Sequence, residues 1–155
     1  MAESVFSRIC ELLDGATVAY RVSRHEPVFT SEAAAAVRGT PLASGAKALV
    51  CKIDERFVLI VLPADRKLAS KQAKKELGGK SLRFATKEEV LELTGLTPGS
   101  IPPFGSLFNL PTYCDVALSE QPQINFNAGD HGISVSMTFA DYAVAEKPTL
   151  GSFAE

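Results

Sequence analysis

Apolar positions follow two rhythms along this chain. Val5, Phe6, Ile9, Leu12 and Leu13 recur at helical spacing and Gly15 follows, which predicts an amphipathic helix with a glycine stop. Thr17 to Val22 alternates as a strand. Thr30 or Ser31 can cap an alanine-rich helix over Glu32 to Val37, ended by Gly39. Two apolar runs, Ala46 to Ile53 and Phe57 to Leu62, flank Asp54-Glu55-Arg56 and predict a hairpin. Leu68 to Leu77 reads as a helix closed by Gly78-Gly79, and Ser81 to Ala85 as a short strand. Thr86-Lys87-Glu88-Glu89 carries the capping-box pattern and starts a helix through Leu93, stopped by Gly95.

Pro98 to Pro111 is rich in Pro and Gly and predicts an ordered loop. Asp115 to Leu118, Gln123 to Asn127 and Ile133 to Met137 read as strands, and Ala140 to Val144 as a last short helix. Helices and strands interleave, yet several strands are joined by short turns. That pattern predicts an α/β fold with a central mixed, barrel-like sheet surrounded by helices. No linker divides residues 1–155, so a single domain is expected.

Composition sharpens this only in places. At 155 residues and 46% apolar the chain can close its own core without disulfides. Cys10, Cys51 and Cys114 are odd in number and contain no CxxC, which suits buried free thiols better than a disulfide framework or a zinc site. Met1-Ala2-Glu3-Ser4 lacks a basic and apolar leader, and the longest apolar run is far shorter than a membrane span, so a cytoplasmic protein is expected. The formal net charge of -2 argues, taken whole, against a nucleic-acid binder. Its distribution argues otherwise. Residues 1–65 carry net -1, residues 66–87 net +7 and residues 88–155 net -8. On a helix Lys67, Lys71, Lys74 and Lys75 share one face and Ala69, Ala73 and Leu77 another, so the lysines form either a solvated face or a footprint for a phosphate backbone.

Several chemical motifs can be tested by spacing. Gly79-Lys80-Ser81 resembles the end of a P-loop, but Lys74 stands where its first Gly belongs and the segment follows a helix. No G-x-S-x-G elbow is present. His25 and His131 lack ligand-spaced partners, so no metal and no cofactor is expected. Lys47, at the head of an apolar strand, must bring its ammonium to an edge, a cleft or an anion. It either snorkels to solvent or holds a phosphate or a developing oxyanion. In Gly99-Ser100-Ile101-Pro102-Pro103 the glycine permits close backbone approach and the prolines fix the turn, so the amides of Gly99 and Ser100 can face a carbonyl oxygen. Asn127-Ala128-Gly129-Asp130-His131-Gly132 is a second polar turn between apolar strands.

In order, the chain carries His25-Glu26-Pro27 with Thr30-Ser31-Glu32-Ala33, then Gly45-Ala46-Lys47-Ala48-Leu49, Val61-Leu62-Pro63-Ala64-Asp65 and Leu82-Arg83-Phe84-Ala85-Thr86. Thr94-Gly95 leading to Gly99 through Pro103, and Asn127-Ala128-Gly129, complete the set. In this order and spacing they resemble the YbaK/EbsC group of aminoacyl-tRNA deacylases, relatives of the editing domain inserted in bacterial prolyl-tRNA synthetases. The resemblance implies hydrolysis of amino acids wrongly attached to tRNA, with a synthetase as a possible associate. It places the family's strand lysine on Lys47 and its G-x-x-x-P loop on Gly99 to Pro103. Some members carry an acidic residue where this chain has Ser134, and others a histidine that matches His131.

Under that resemblance Lys47, Gly99 and Ser100 are the expected catalytic groups: Lys47 anchors the anionic 3′ end, and the two amides hold the ester carbonyl. His25, Pro103, Asn127, Gly129 and His131 are the expected substrate-binding residues, with His131 orienting the amino acid. Lys67, Lys71, Lys74 and Lys75 are expected to bind the tRNA body through phosphates. The competing class is a non-catalytic module that binds a tRNA end or a nucleotide beside a synthetase. A hydrolase of small aminoacyl or nucleotide esters is a third reading.

Overall fold

The computed structural model describes residues 4–155, so the N-terminal stretch read for a leader lies, except for Ser4, outside them. The elements run α1 (Val5–Gly15), β1 (Arg21–Arg24), α2 (Ser31–Arg38), β2 (Ala46–Ile53), β3 (Arg56–Pro63), α3 (Ser70–Leu77), β4 (Leu82–Phe84) and α4 (Lys87–Thr94). They continue with β5 (Thr112–Asp115), β6 (Gln123–Asn127), β7 (Ile133–Thr138), α5 (Phe139–Glu146) and β8 (Thr149–Gly151).

The strands form two sheets. One has the order β4-β2-β3-β5-β8 and the other β1-β7-β6. In the larger, β2 pairs antiparallel with β3 and β4, while β3 to β5 and β5 to β8 are parallel. The smaller is antiparallel throughout. The fold is therefore mixed α/β, but the expected barrel-like sheet is replaced by two open sheets. A single bridge between Gly45 and Asn125 links them. A side chain at Gly45 would meet Ala64 Cβ at 2.9 Å, so only glycine lets the backbone cross here.

The larger sheet is buried on both faces, which explains the unbroken apolar run in β3. Leu59 and Val61 face the main core with Ile9 and Leu13 of α1, Phe126 of β6 and Tyr142 of α5. Val58, Ile60 and Leu62 face a second core with Ala73 and Leu77 of α3 and Phe153. Lys47 shares the parity of Cys51 and Ile53, at the end of β2 where that second core gives out.

Some boundaries differ from the pattern. The first strand is Arg21–Arg24 rather than Thr17 to Val22, because Thr17 takes a left-handed φ of 58° and the strand starts only where β7 offers a partner. The helix expected from Leu68 begins at Ser70, since Leu68 bridges to Ala154 and the Lys67 N–H donates to Glu155 O. Lys67 thus stands outside the helix that carries Lys71, Lys74 and Lys75. The strand expected at Asp115 to Leu118 is instead Thr112–Asp115, followed by a 3-10 turn. The buried Asp115 carboxylate turns the chain there, accepting from the N–H groups of Ala117, Phe153 and Ala154.

Candidate active site

Between α2, the start of β2, the end of β6 and the loop at Gly99 lies a cleft of about 160 Å3. Its walls include Phe29, Thr30, Ser31, Arg38, Lys47, Gly99 and Asn127, and its floor is set by Ala34, Ala46 and Ala48. Among the described residues no acidic side chain lines it, while two cations do. Both line the cleft for reasons of local structure. Thr30 caps α2 by accepting from the Ala33 N–H, and Gly39 closes it in the left-handed conformation, so Arg38 ends the helix four residues beyond the buried Ala34 and on its face.

Lys47 is half-buried and its Nζ donates to the Arg66 carbonyl at 2.5 Å. Burial holds its pKa below that of an ordinary lysine, the nearby Lys67 adds to this, and Glu32 and Asp65 partly offset it. The basic segment read from the sequence therefore begins at the rim of the cleft, with Arg66 and Lys67. It continues outward along α3, where Lys71 and Lys75 are exposed and Lys74 is half-buried.

Arg38 is half-buried too, and burial brings its guanidinium down to about 10. Its Nε donates to Ser134 Oγ and its Nη2 to Asn127 Oδ1, each at 2.8 Å. Asn127 Nδ2 in turn donates to the Gly99 carbonyl at 2.6 Å. On the other side of Ser134, His25 Nε2 lies 2.8 Å from the same hydroxyl, and His25 Nδ1 lies 2.8 Å from the Glu26 carbonyl. A carbonyl only accepts, so Nδ1 donates to Glu26, and the ring is held between that carbonyl and the Ser134 hydroxyl.

The expected site residues separate into those that line the cleft and those behind it. Lys47, Gly99 and Asn127 line it. Gly99 takes a φ of +94°, which favours glycine, and its N–H makes no hydrogen bond among the described residues. Ser100 does not join it: its N–H and its hydroxyl both turn back to the Thr97 carbonyl, at 3.3 and 2.9 Å, and its side chain is buried. The expected pair of amide donors therefore reduces to Gly99. His131 also stands behind the wall, with Nδ1 3.1 Å from the Val28 carbonyl, Nε2 3.4 Å from Thr97 Oγ1 and its ring against Phe29 at 4.6 Å. It braces the Gly99 loop rather than lining the cleft. His25 does not line the cleft and reaches its wall through Ser134. Pro103 is buried and its carbonyl accepts from Tyr142 OH, while the Gly129 N–H donates to the Ser100 carbonyl.

Three contributors, Arg38, Phe29 and Asn125, were not singled out from the sequence, and Ser134 was noted there without a role. Arg38 and Phe29 line the cleft, Asn125 is buried in its wall with Nδ2 donating to Ser44 Oγ, and Ser134 supports Arg38 and His25. Arg38 was detectable: an arginine four residues after a core alanine on a short helix shares the buried face. Phe29, 74% exposed, carries no periodic signal.

Residues 25–144 match the family model described as an aminoacyl-tRNA editing domain. Over 151 residues the chain is 39% identical to the Multifunctional Ser/Thr-tRNA deacylase ProXp-y of Escherichia coli (strain K12), covering 94% of this chain and 90% of that protein. It is 38% identical over 86 residues to the Proline--tRNA ligase of Shouchella clausii (strain KSM-K16), an overlap of 56% of this chain and 15% of the ligase. A crystal structure described as a proposed trans-editing enzyme for prolyl-tRNA synthetase superposes with a TM-score of 0.84 at 24% identity, over 100% of this chain and 99% of that one. That last likeness speaks for the fold alone. The matched stretch holds both cations of the cleft, the Gly99 loop and the Asn127 turn, and the chain belongs to the aminoacyl-tRNA editing domain family.

Proposed function

We propose that this protein is a cytoplasmic trans-editing hydrolase that removes a wrongly attached amino acid from the 3′-terminal adenosine of tRNA. The observation that carries the reading is a small cleft with two cations and, among the described residues, no carboxylate and no partner for a glycine N–H. Such a cleft suits an anionic nucleic-acid end joined to a neutral ester. Lys47 anchors the terminal phosphate. The Gly99 N–H donates to the ester carbonyl and stabilises the oxyanion that forms on it. A water attacks the carbonyl carbon, the bond to the ribose oxygen breaks, and that oxygen leaves with a proton. The products are a free amino acid and an uncharged tRNA. No histidine lines the cleft, so catalysis rests on positioning and electrostatics, with the vicinal ribose hydroxyl or an ordered water relaying the proton.

The alanine-lined volume favours a small amino acid, and the resemblance to a Ser/Thr-tRNA deacylase makes Ser and Thr the first choices over Ala and Cys. The likeness to a stretch of prolyl-tRNA ligases supports work beside a synthetase. The ridge formed by Lys67, Lys71, Lys74 and Lys75 meets phosphates of the acceptor stem without reading bases.

A panel of tRNAs charged with Ser, Thr, Ala, Cys and the cognate amino acid tests this. Wild type should deacylate one or more mischarged species, and Lys47→Ala should lower the rate by about 100-fold. Binding without turnover would establish a recruiting module instead, and turnover of a minimal aminoacyl nucleotide at the full rate would establish a small-ester hydrolase. Charge reversal at Lys71, Lys74 and Lys75 should flatten the salt dependence of tRNA binding, and an unchanged slope would reduce the ridge to a solvated face.

A further inference from the structure

Arg38 is a cation held only by neutral groups. Among the described residues no carboxylate pairs with it; its partners are the Ser134 hydroxyl and the Asn127 amide. Taking a guanidinium out of water without a counter-charge is costly, so the arrangement calls for a return elsewhere. The return lies in what Arg38 does to Asn127. A guanidinium has only donors and a carbonyl only acceptors. With Arg38 on one side and the Gly99 carbonyl on the other, the Asn127 amide has one orientation that satisfies both, Oδ1 toward Arg38 and Nδ2 toward Gly99. Without Arg38 the amide can rotate to solvent and release the Gly99 carbonyl.

The loop needs such a hold. Gly99 takes a φ of +94° and lies in open space but for the His131 ring, 3.5 Å from where a Cβ would stand. Glycine confers freedom here rather than rigidity. The preceding N–H is the donor assigned to the ester carbonyl, and a donor helps the transition state only if its direction is fixed beforehand.

We propose that Arg38 is a positioning residue for the ester hydrolysis. It orients the Asn127 amide, which clamps the Gly99 carbonyl and so fixes the Gly99–Ser100 peptide, the anchor against which the adjoining Pro98–Gly99 peptide presents the Gly99 N–H to the substrate. Arg38 does not itself touch the reacting atoms. This inference rests on the deacylase reading above and adds a relay to it.

The test combines kinetics with a spectroscopic measurement. Arg38→Lys keeps the charge but cannot reach Ser134 and Asn127 together with one fork. Arg38→Lys and Asn127→Ala should each lower single-turnover deacylation by about 10- to 100-fold with KM little changed. The double variant should be no slower than either single variant, because both break one relay. In wild type the Asn127 side-chain amide should show hydrogen-exchange protection in nuclear magnetic resonance spectra, and Arg38→Lys should remove it without shifting signals from α3. Additive losses, a loss confined to KM, or an amide unaltered by Arg38→Lys would each overturn the relay. If Arg38→Lys fails to fold, wild-type turnover by Asn127→Ala overturns it equally. A wild type inactive on every mischarged tRNA defeats the deacylase reading itself, whereas an active wild type with indifferent Arg38 and Asn127 variants defeats the relay alone.

Discussion

Replacing Gly99 by alanine separates backbone strain from chemistry, because the structure supplies a matched control. The added Cβ at Gly99 meets only His131 Cε1 at 3.5 Å, an ordinary contact, so crowding is not the issue. The strain is conformational: φ is +94° at Gly99 and +68° at Gly78, where a Cβ meets nothing within 4 Å. An L-residue in this region costs about 1–2 kcal/mol. For a chain of this size that corresponds to a fall of about 3–8 °C in Tm for either variant. Activity should divide them. Gly78 closes α3, with its N–H on Lys74 and Lys75 carbonyls, and lines no part of the cleft. Gly78→Ala should therefore deacylate as wild type does at a temperature where both are folded. Gly99→Ala relaxes its strain by turning φ away from +94°, which redirects the Gly99 N–H relative to the carbonyl that Asn127 Nδ2 holds at 2.6 Å. Loss of one such donor should lower kcat by about 100- to 1000-fold. The assay is single-turnover release of the amino acid from mischarged tRNA at saturating enzyme, beside thermal unfolding followed by circular dichroism. A Gly99→Ala enzyme with wild-type kcat, or a Gly78→Ala enzyme equally impaired, would refute the assignment of Gly99.

Other outcomes follow from buried groups away from the cleft. Asp115→Ala strips the acceptor from the N–H groups of Ala117, Phe153 and Ala154, and should cost about 3 kcal/mol or more in urea unfolding, against an expected near-zero change if these donors simply rehydrate. Burial pushes the Cys51 and Cys114 thiols up to about 12 from an ordinary value of 9.0, with the Asp115 charge adding to the effect at Cys114. The folded chain then holds protons that the unfolded chain releases, so stability should fall as pH rises from about 9 toward 12, and Cys51→Ala with Cys114→Ala should flatten that decline. A thiol reagent at pH 8 should accordingly modify the half-buried Cys10 first and reach the other two only as the protein unfolds; equal rates at all three would show that the core opens readily.

Most elements were legible because each carries a local signature. The capping box of α4 forms as read, with Thr86 Oγ1 accepting from the Glu89 N–H and Glu89 accepting from the Thr86 N–H. The β2–β3 hairpin was marked by apolar runs on either side of a polar turn, and the runs are apolar throughout because both faces of that sheet are covered. The misread elements lacked such signals. β8 is three residues long and exists because β5 offers an edge. The residues after Asp115 are apolar enough for a strand, yet a buried carboxylate that collects three N–H donors bends them into a 3-10 turn. The site divides in the same way. Lys47 and Gly99 stand out by residue type against their surroundings, whereas Ser100 and His131 were natural candidates whose polar atoms are directed elsewhere by the loop.

By its sequence alone this chain determined its helices and main strands, the concentration of positive charge in residues 66–87, and a motif order that pointed to tRNA editing. Those properties are local or additive, and they survive reading one residue at a time. Only the tertiary structure decided that the sheets stay open, that the basic segment starts at the cleft rim through the Lys47 bond to Arg66, and that Arg38, Asn127 and Gly99 form one hydrogen-bonded chain. The physical reason is that direction is not a property of a residue. Whether an amide or guanidinium serves the cleft or the scaffold depends on which partner, sometimes 89 positions away, the fold brings within 3 Å.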